Sequence, residues 1–274
     1  MLPRQPFVQK SAVGELFVLL FSREAMKMDA REMTELYYSH WLGADENLFS
    51  GLPVPLMTRY TTERNAETPG YGCRFDIWAI ETEKGCFISY GDAAQSGIPE
   101  LETSLQGGQL LSEALWCIHR AEPEHSVKYL YVGKALDASP ARALSREDYP
   151  AYERFFRDCH PRVRDLSWLR EYFVEMAGKR LCCGVFADGL LVSCTDAPTV
   201  PYMTDAVAEI GVNTLEAYRG KGYAHAACAR CVQEVLAQNK CPLWSTGEGN
   251  IASQRLAEGL GFVKFGDAYA FCLS

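Results

Sequence analysis

Residues 206–238 read AVAEIGVNTLEAYRGKGYAHAACARCVQEVLAQ, and this stretch decides the fold. It opens as a strand over 206–213. Ala208, Ile210 and Val212 point one way, and Val207, Glu209, Gly211 and Asn213 the other, because successive strand residues alternate between faces. An acid inside an otherwise apolar strand is costly unless it reaches solvent, a partner or a substrate, which singles out Glu209. The stretch closes as a helix. Ala224, Ala227, Cys228, Cys231, Val232, Val235 and Leu236 form one stripe at helical spacing, with Arg230, Gln233, Glu234 and Gln238 opposite.

Between strand and helix lies Arg219-Gly220-Lys221-Gly222-Tyr223-Ala224. Glycines let a backbone approach a ligand closely, and the first turn of a helix presents unpaired N–H groups at its positive dipole end. Arg219 and Lys221 add charge, so the junction suits a phosphate or pyrophosphate. Taken alone, a Gly-x-Gly at such a turn is equally compatible with an ordinary tight connection. The third glycine of a dinucleotide fingerprint is missing, as is the Lys-Ser/Thr ending of a P-loop.

Working outward, the second half reads β-α-α-β-β-β-α-β-α-β. A short strand at 141–144 leads to Ser145, a helix cap with Asp148 three residues on, close to a capping box. Helices follow to about 157 and over 166–176. Strands at 181–187 and 190–195 flank Asp188-Gly189, a two-residue hairpin signal. The first half reads as helices over 14–26 and 29–42, a turn-rich stretch over 51–71, strands over 74–80 and 86–90, a helix over 99–119 and a strand over 127–132. Asp137-Ala138-Ser139-Pro140 looks like a linker. The expected organisation is therefore α+β in two domains, 1–136 and 141–274.

The 274 residues suffice for two domains, and 48% hydrophobic against 23% charged residues is an ordinary globular balance. A net charge of -8 argues against nucleic acid as the main partner, since phosphate neutralisation calls for a basic face. The apolar run 16–21 is far shorter than the roughly 20 residues of a membrane span and lacks the flanks of a secretory signal. A cytoplasmic protein with no membrane partner is expected. Cys86, Cys117, Cys182, Cys183, Cys194 and Cys272 lie among apolar residues and read as reduced core cysteines. His225, Cys228, Cys231 and Cys241 have spacings a metal can use, but Cys228 and Cys231 fall on the helix's core stripe, so no metal is expected.

These residues resemble the GNAT superfamily of N-acetyltransferases, whose signature is Gln/Arg-x-x-Gly-x-Gly/Ala between the fourth strand and third helix. Arg219, Gly222 and Ala224 fit it. Residues 242–246 look like the fifth strand. Asn250, Ser253, Leu256, Gly261 and Phe262 match the second motif, and Arg142-Ala143-Leu144-Ser145 with Asp148 the first strand and helix start. Glu209-Ile210-Gly211 and Ala252-Ser253 with Leu256-Ala257-Glu258 look most like a two-domain branch that includes the zwittermicin A resistance acetyltransferase.

The resemblance implies a mixed, mostly antiparallel sheet flanked by helices, preceded by a smaller α+β domain. It implies acetyl-CoA as co-substrate in a gap between the fourth and fifth strands. Backbone groups of Val212, Asn213 and Thr214 would pair with the pantetheine arm. Arg219, Gly220, Lys221, Gly222, Tyr223 and Ala224 would hold the pyrophosphate, and Asn250 and Ser253 the thiol end. Glu209 would be the base that frees an amine for attack on the thioester. At neutral pH only about one alkylammonium in a thousand is deprotonated, so a base helps. Many members carry a tyrosine that protonates the thiolate; this chain has Ala257 there, with Ser253 or Tyr269 as substitutes. The expected acceptor is a small-molecule amine. A protein or peptide amine, or a non-catalytic acyl-CoA-binding module, are the alternatives. The first half would cover the acceptor side, with Tyr60, Tyr71, Trp78 and Trp116 as candidate lining residues, although aromatics at such spacings are more often core.

Overall fold

Residues 28–198 and 200–273 are described in the computed structural model. The helix expected over 14–26, the run 16–21 and the side-chain packing of Cys117 and Cys272 lie outside the described part. Helix α1, Ala30–Trp41, starts at a capping box: Asp29 Oδ1 accepts from Glu32 N–H at 2.8 Å and Glu32 Oε2 from Asp29 N–H at 3.3 Å. Strand β1, Val54–Tyr60, falls in the stretch read as turns. It carries Pro55 and lies at the sheet edge, where a missing N–H is tolerated. Strands β2, Arg74–Thr82, and β3, Gly85–Tyr90, follow. The helix expected over 99–119 is two, α2 (Ile98–Gln106) and α3 (Leu111–His119). Gly107-Gly108 breaks it, Gly108 taking φ +86°. Strand β4 is Glu124–Tyr131.

The second half follows the expected order except that the strand expected over 206–213 is two, β8 and β9: β5 (Arg142–Ala143), α4 (Tyr149–Cys159), α5 (Leu169–Gly178), β6 (Cys183–Ala187), β7 (Leu190–Asp196), β8 (Val207–Glu209), β9 (Gly211–Thr214), α6 (Tyr223–Ala237), β10 (Cys241–Gly247), α7 (Ile251–Gly259) and β11 (Phe262–Leu273). Asp148 secures the start of α4, accepting from Ser145 N–H at 2.8 Å and from both terminal nitrogens of Arg142 at 2.8 and 2.7 Å.

Two sheets result. One has seven strands in the order β1-β3-β2-β11-β4-β10-β8, the other four in the order β5-β6-β7-β9. Strand β4 of the first half lies antiparallel between β10 and β11 of the second. The expected 136–140 boundary therefore separates two stretches of chain that share one sheet. The parallel pairs are β1 with β3 and β8 with β10; the rest are antiparallel.

Each face of the large sheet buries its own core. Helix α1 covers one with Met33, Tyr37, Tyr38 and Trp41 over Trp78, Leu130, Leu243 and Phe265. On the other, Cys228, Cys231, Val232 and Val235 of α6 join Trp244, Ala257, Leu260 and Phe262. Two residues of α6 depart from the expected stripe. Leu236 is exposed, and Glu234 is buried, its carboxylate held by Arg180 at 2.6 Å and by Arg230. Cys182, Cys183, Cys194, Cys228 and Cys231 are buried free thiols, whereas Cys73 is disulfide-bonded, which the reduced reading did not foresee. No helix among the described residues is long and apolar enough to cross a membrane.

Candidate active site

The segment 207–214 changes sheets part-way. Val207, Ala208 and Glu209 pair in parallel with Cys241, Pro242 and Leu243, and Ile210 N–H donates to Leu243 O at 3.0 Å. From Gly211 the chain leaves β10 and pairs with β7 instead, Gly211 opposite Asp196 and Thr214 opposite Ser193. Strand β10 continues to Gly247 against β4. A wedge opens between β9 and β10, with its apex at Ile210. Val212, Asn213 and Thr214 pair with β7 along one edge and turn the other toward the wedge. Because a strand's backbone groups are obligatory hydrogen-bonding groups, that edge suits an extended ligand bearing amides.

At the wedge's open end lies the 219–224 loop. Arg219 Nε donates to Thr214 O at 3.3 Å, tying the loop to the end of β9. Lys221 Nζ stands 4.9 Å from the Tyr218 ring centroid. Gly220 and Gly222 take φ +72° and +82°, and a Cβ on either would meet nothing within 4 Å. The loop is open space bounded by backbone. Helix α6 begins at Gly222 with no side-chain cap and no acid in its first turn, so Tyr223 and Ala224 present their N–H groups beside exposed Arg219 and Lys221. Uncapped donors and cations here make an anion cradle.

The opposite lip is the junction of β10 and α7. Asn250 caps α7, its Oδ1 accepting from Ser253 N–H at 3.2 Å, and Ser253 Oγ accepts from Trp244 Nε1 at 3.2 Å. Both side chains already hold structural hydrogen bonds. Ala257 is fully buried and has no polar side-chain atom. Tyr269 is paired with Ala79 and His125 and packs with Ile77 and Phe271, on the sheet face opposite Trp78 and helix α1.

Glu209 sits half-buried beside the apex. Ala208 and Ile210 join the core containing Cys228 and Trp244, while Val207 joins the core under α1. Glu209 therefore lies on the α1 face. Its charge, after burial, helps to hold the Tyr37 and Tyr38 hydroxyls well above the usual phenol range. Burial pulls the Lys128 ammonium down while Glu209 and Glu124 oppose that pull, and Lys128 Nζ donates to Ser245 Oγ at 2.8 Å. Tyr37, Tyr38, Lys128 and Ser245 were not foreseen around Glu209. They come from α1, β4 and β10, and only sheet register assembles them. Of the aromatics expected at the site, Trp78 is buried under α1, Tyr71 packs edge-on against Trp41, Tyr60 binds Asp92 at 2.7 Å, and Trp116 is partly exposed on α3. Among the described residues no group of three or more His, Cys, Asp or Glu is placed to hold a metal.

A strand splits away from its neighbour and leads to a glycine-opened helix start. Residues 183–271, about a third of the chain, match the family model described as GNAT acetyltransferase. No curated protein matches the chain. Among solved structures, a GNAT-family acetyltransferase from Colwellia psychrerythraea is 15% identical over 67% of this chain and 76% of its own, with a TM-score of 0.47. A putative GNAT-family acetyltransferase from Novosphingobium aromaticivorans is 22% identical over 54% of this chain and 64% of its own, at 0.43. YncA, a putative acetyltransferase from Salmonella typhimurium determined with its cofactor acetyl-CoA, is 16% identical over 49% of this chain and 92% of its own, at 0.40.

Proposed function

We propose that this protein is an acetyl-CoA-dependent N-acetyltransferase whose acceptor is the primary amine of a small molecule. The observation that carries the reading is the wedge between β9 and β10, with Glu209 beside its apex and the cradle at Gly220 and Gly222 at its open end. Backbone groups of Val212, Asn213 and Thr214 pair with the pantetheine amides. The N–H groups of residues 220–224 hold the pyrophosphate, with Arg219 and Lys221 neutralising its charge. Asn250 and Ser253 border the thiol end.

Acetyl-CoA, when bound, supplies a thioester carbonyl open to attack. Glu209 accepts one proton from the acceptor's ammonium, directly or through a water. The freed nitrogen forms the amide bond as the carbon–sulfur bond breaks, and the second proton lost from nitrogen passes to the departing thiolate or to solvent. The departing thiol, with an ordinary pKa near 8.5, leaves with little acid help, consistent with Ala257 where many relatives place a tyrosine. Helix α1 roofs the face that holds Glu209, so the first half contributes to the acceptor side, as in a two-domain branch of the superfamily.

Buried, apolar Ala257 also favours a second reading, an acyl-CoA-binding module without turnover. Incubation with acetyl-CoA and n-butylamine, 1,4-diaminobutane, lysine or glucosamine, followed by thiol release and product mass, tests both. Acetylated product, with a kcat that falls by about 10² or more in Glu209→Gln, supports the transferase. Cofactor binding with no product from any of the four supports the module.

A further inference from the structure

Strand β4 is hydrogen-bonded on both sides, to β10 and β11, so its side chains reach solvent only through a sheet face. On the α1 face it changes character along its length. Leu130 is buried under α1 beside Leu243 of β10. The next residues in these rows, Lys128 and Ser126 of β4 and Ser245 of β10, are only half-buried. Gly247 continues the β10 row opposite Ser126, and a Cβ on it would meet nothing within 4 Å. The apolar cover ends at Leu130 and Leu243, and past it a polar strip lies open on the face that carries half-buried Glu209.

Lys128 is the cation of this strip. One N–H of its ammonium goes to Ser245 Oγ at 2.8 Å. Among the described residues the other two have no acceptor, and no carboxylate stands within 4 Å of Nζ. A partly desolvated ammonium without an ion-pair partner is costly, and an anionic ligand group would offset that cost. The cradle at 220–224 is not its counterpart, because α6 packs on the opposite face. Glu209 is. It stands opposite Leu243, and Lys128 opposite Ser245 two residues further along β10. Two strand spacings and two residue rises put the Glu209 and Lys128 Cα atoms about 12 Å apart. Lys128 Nζ reaches from β4 to Ser245, toward the Glu209 side, and the Glu209 charge acts on it. A carboxylate and an ammonium set across a short open gap complement the two charges of a zwitterion.

Resting on the acetyl-transfer reading, we propose that the acceptor is a free α-amino acid, whose ammonium gives its proton to Glu209 while Lys128, backed by Ser245, holds its carboxylate. The bonds made and broken and the two protons released are those of the acetyl transfer above. The carboxylate stays ionised throughout and serves only to bind and orient. An amine without a carboxylate leaves the two free N–H groups of Lys128 unmet.

The test offers each of the twenty standard L-amino acids with acetyl-CoA and compares the best acceptor with the amine left on removing its carboxyl group. In wild type the amino acid's kcat/KM should exceed that amine's by about tenfold to a hundredfold, the span of one charge-assisted hydrogen bond. Lys128→Met should erase most of this preference, mainly by raising the amino acid's KM, and Lys128→Arg should restore part of it. Titration calorimetry of the same amino acid into the protein loaded with CoA reads binding without turnover, and Lys128→Met should weaken it by a similar factor. The wild-type comparison needs no variant, so it decides even if Lys128→Met does not fold. An amine without a carboxylate, n-butylamine and 1,4-diaminobutane included, that is used as well as every amino acid overturns the proposal. So does a Lys128→Met loss equal for amino acid and amine. If acetyl-CoA binds but nothing is acetylated, the acetyl-transfer reading fails and calorimetry decides the carboxylate site alone. That site stands if an amino acid binds wild type and not Lys128→Met, and falls if wild type binds none.

Discussion

Gly222 isolates the anion cradle from the rest of the fold, because its two possible costs separate. It takes φ +82°, and a Cβ there would touch nothing within 4 Å. Gly222→Ala therefore carries only the left-handed backbone penalty, about 1–2 kcal/mol, or a fall of about 2–4 °C in melting temperature for a protein of this size. Gly222→Glu carries the same penalty, partly offset by a carboxylate at the start of α6, a placement worth about 0.3–1 kcal/mol. Without ligand, the Glu variant should melt no lower than the Ala variant. With acetyl-CoA at 100 times its dissociation constant, wild type should gain about 2.7 kcal/mol, or about 5 °C. The Ala variant should keep most of that gain. The Glu variant should lose it, because its carboxylate occupies the cradle and repels the pyrophosphate. Scanning calorimetry of the three proteins with and without acetyl-CoA measures all of this. A Glu variant stabilised as strongly as wild type would refute the placement of the pyrophosphate, and an unresponsive wild type would refute the wedge as the cofactor site.

Two further outcomes follow from the fold. A fragment of residues 141–274 should show no cooperative thermal transition, since removing β4 leaves β10 and β11 unpaired on facing edges and uncovers Trp244 and Phe262; a cooperative melt with a dispersed amide spectrum would contradict the shared sheet. The paired nitrogens of Arg142 foremost, aided by Ser145 N–H, hold the Asp148 carboxyl down at about 2. A carboxyl depressed below its unfolded value of about 3.9 stabilises above that pH and loses the contribution as pH falls toward the folded value. The urea midpoint of Asp148→Asn should therefore lie below wild type at pH 7, with the gap closing between about pH 4 and pH 2; a constant gap across that range would contradict the pairing.

The site's chain-local parts were legible in the sequence because their causes are local. Alternation over 206–213 placed Glu209 on the opposite face from Ala208 and Ile210. Positive φ demands explain Gly220 and Gly222, and the cap at Asn250 follows from its place before a helix. Local pattern misled where tertiary context overrode it. Pro53 and Pro55 masked β1, which its edge position makes tolerable. Glu234 reads as a solvent-face acid, yet Arg180, distant in sequence, makes its burial favourable. Leu236 reads as core, yet it stays exposed.

Composition and periodicity thus established an α+β chain carrying a strand, a glycine turn and an amphipathic helix in that order, since those features depend on residues within a few positions of one another. Only the tertiary structure decided that β4 joins the two halves in one sheet, that α1 roofs Glu209, and that Asp196 reaches Gly211. Each of these depends on which strand pairs with which, and in what register. Pairing is set by the burial of whole faces across strands distant in the chain, which no local pattern encodes.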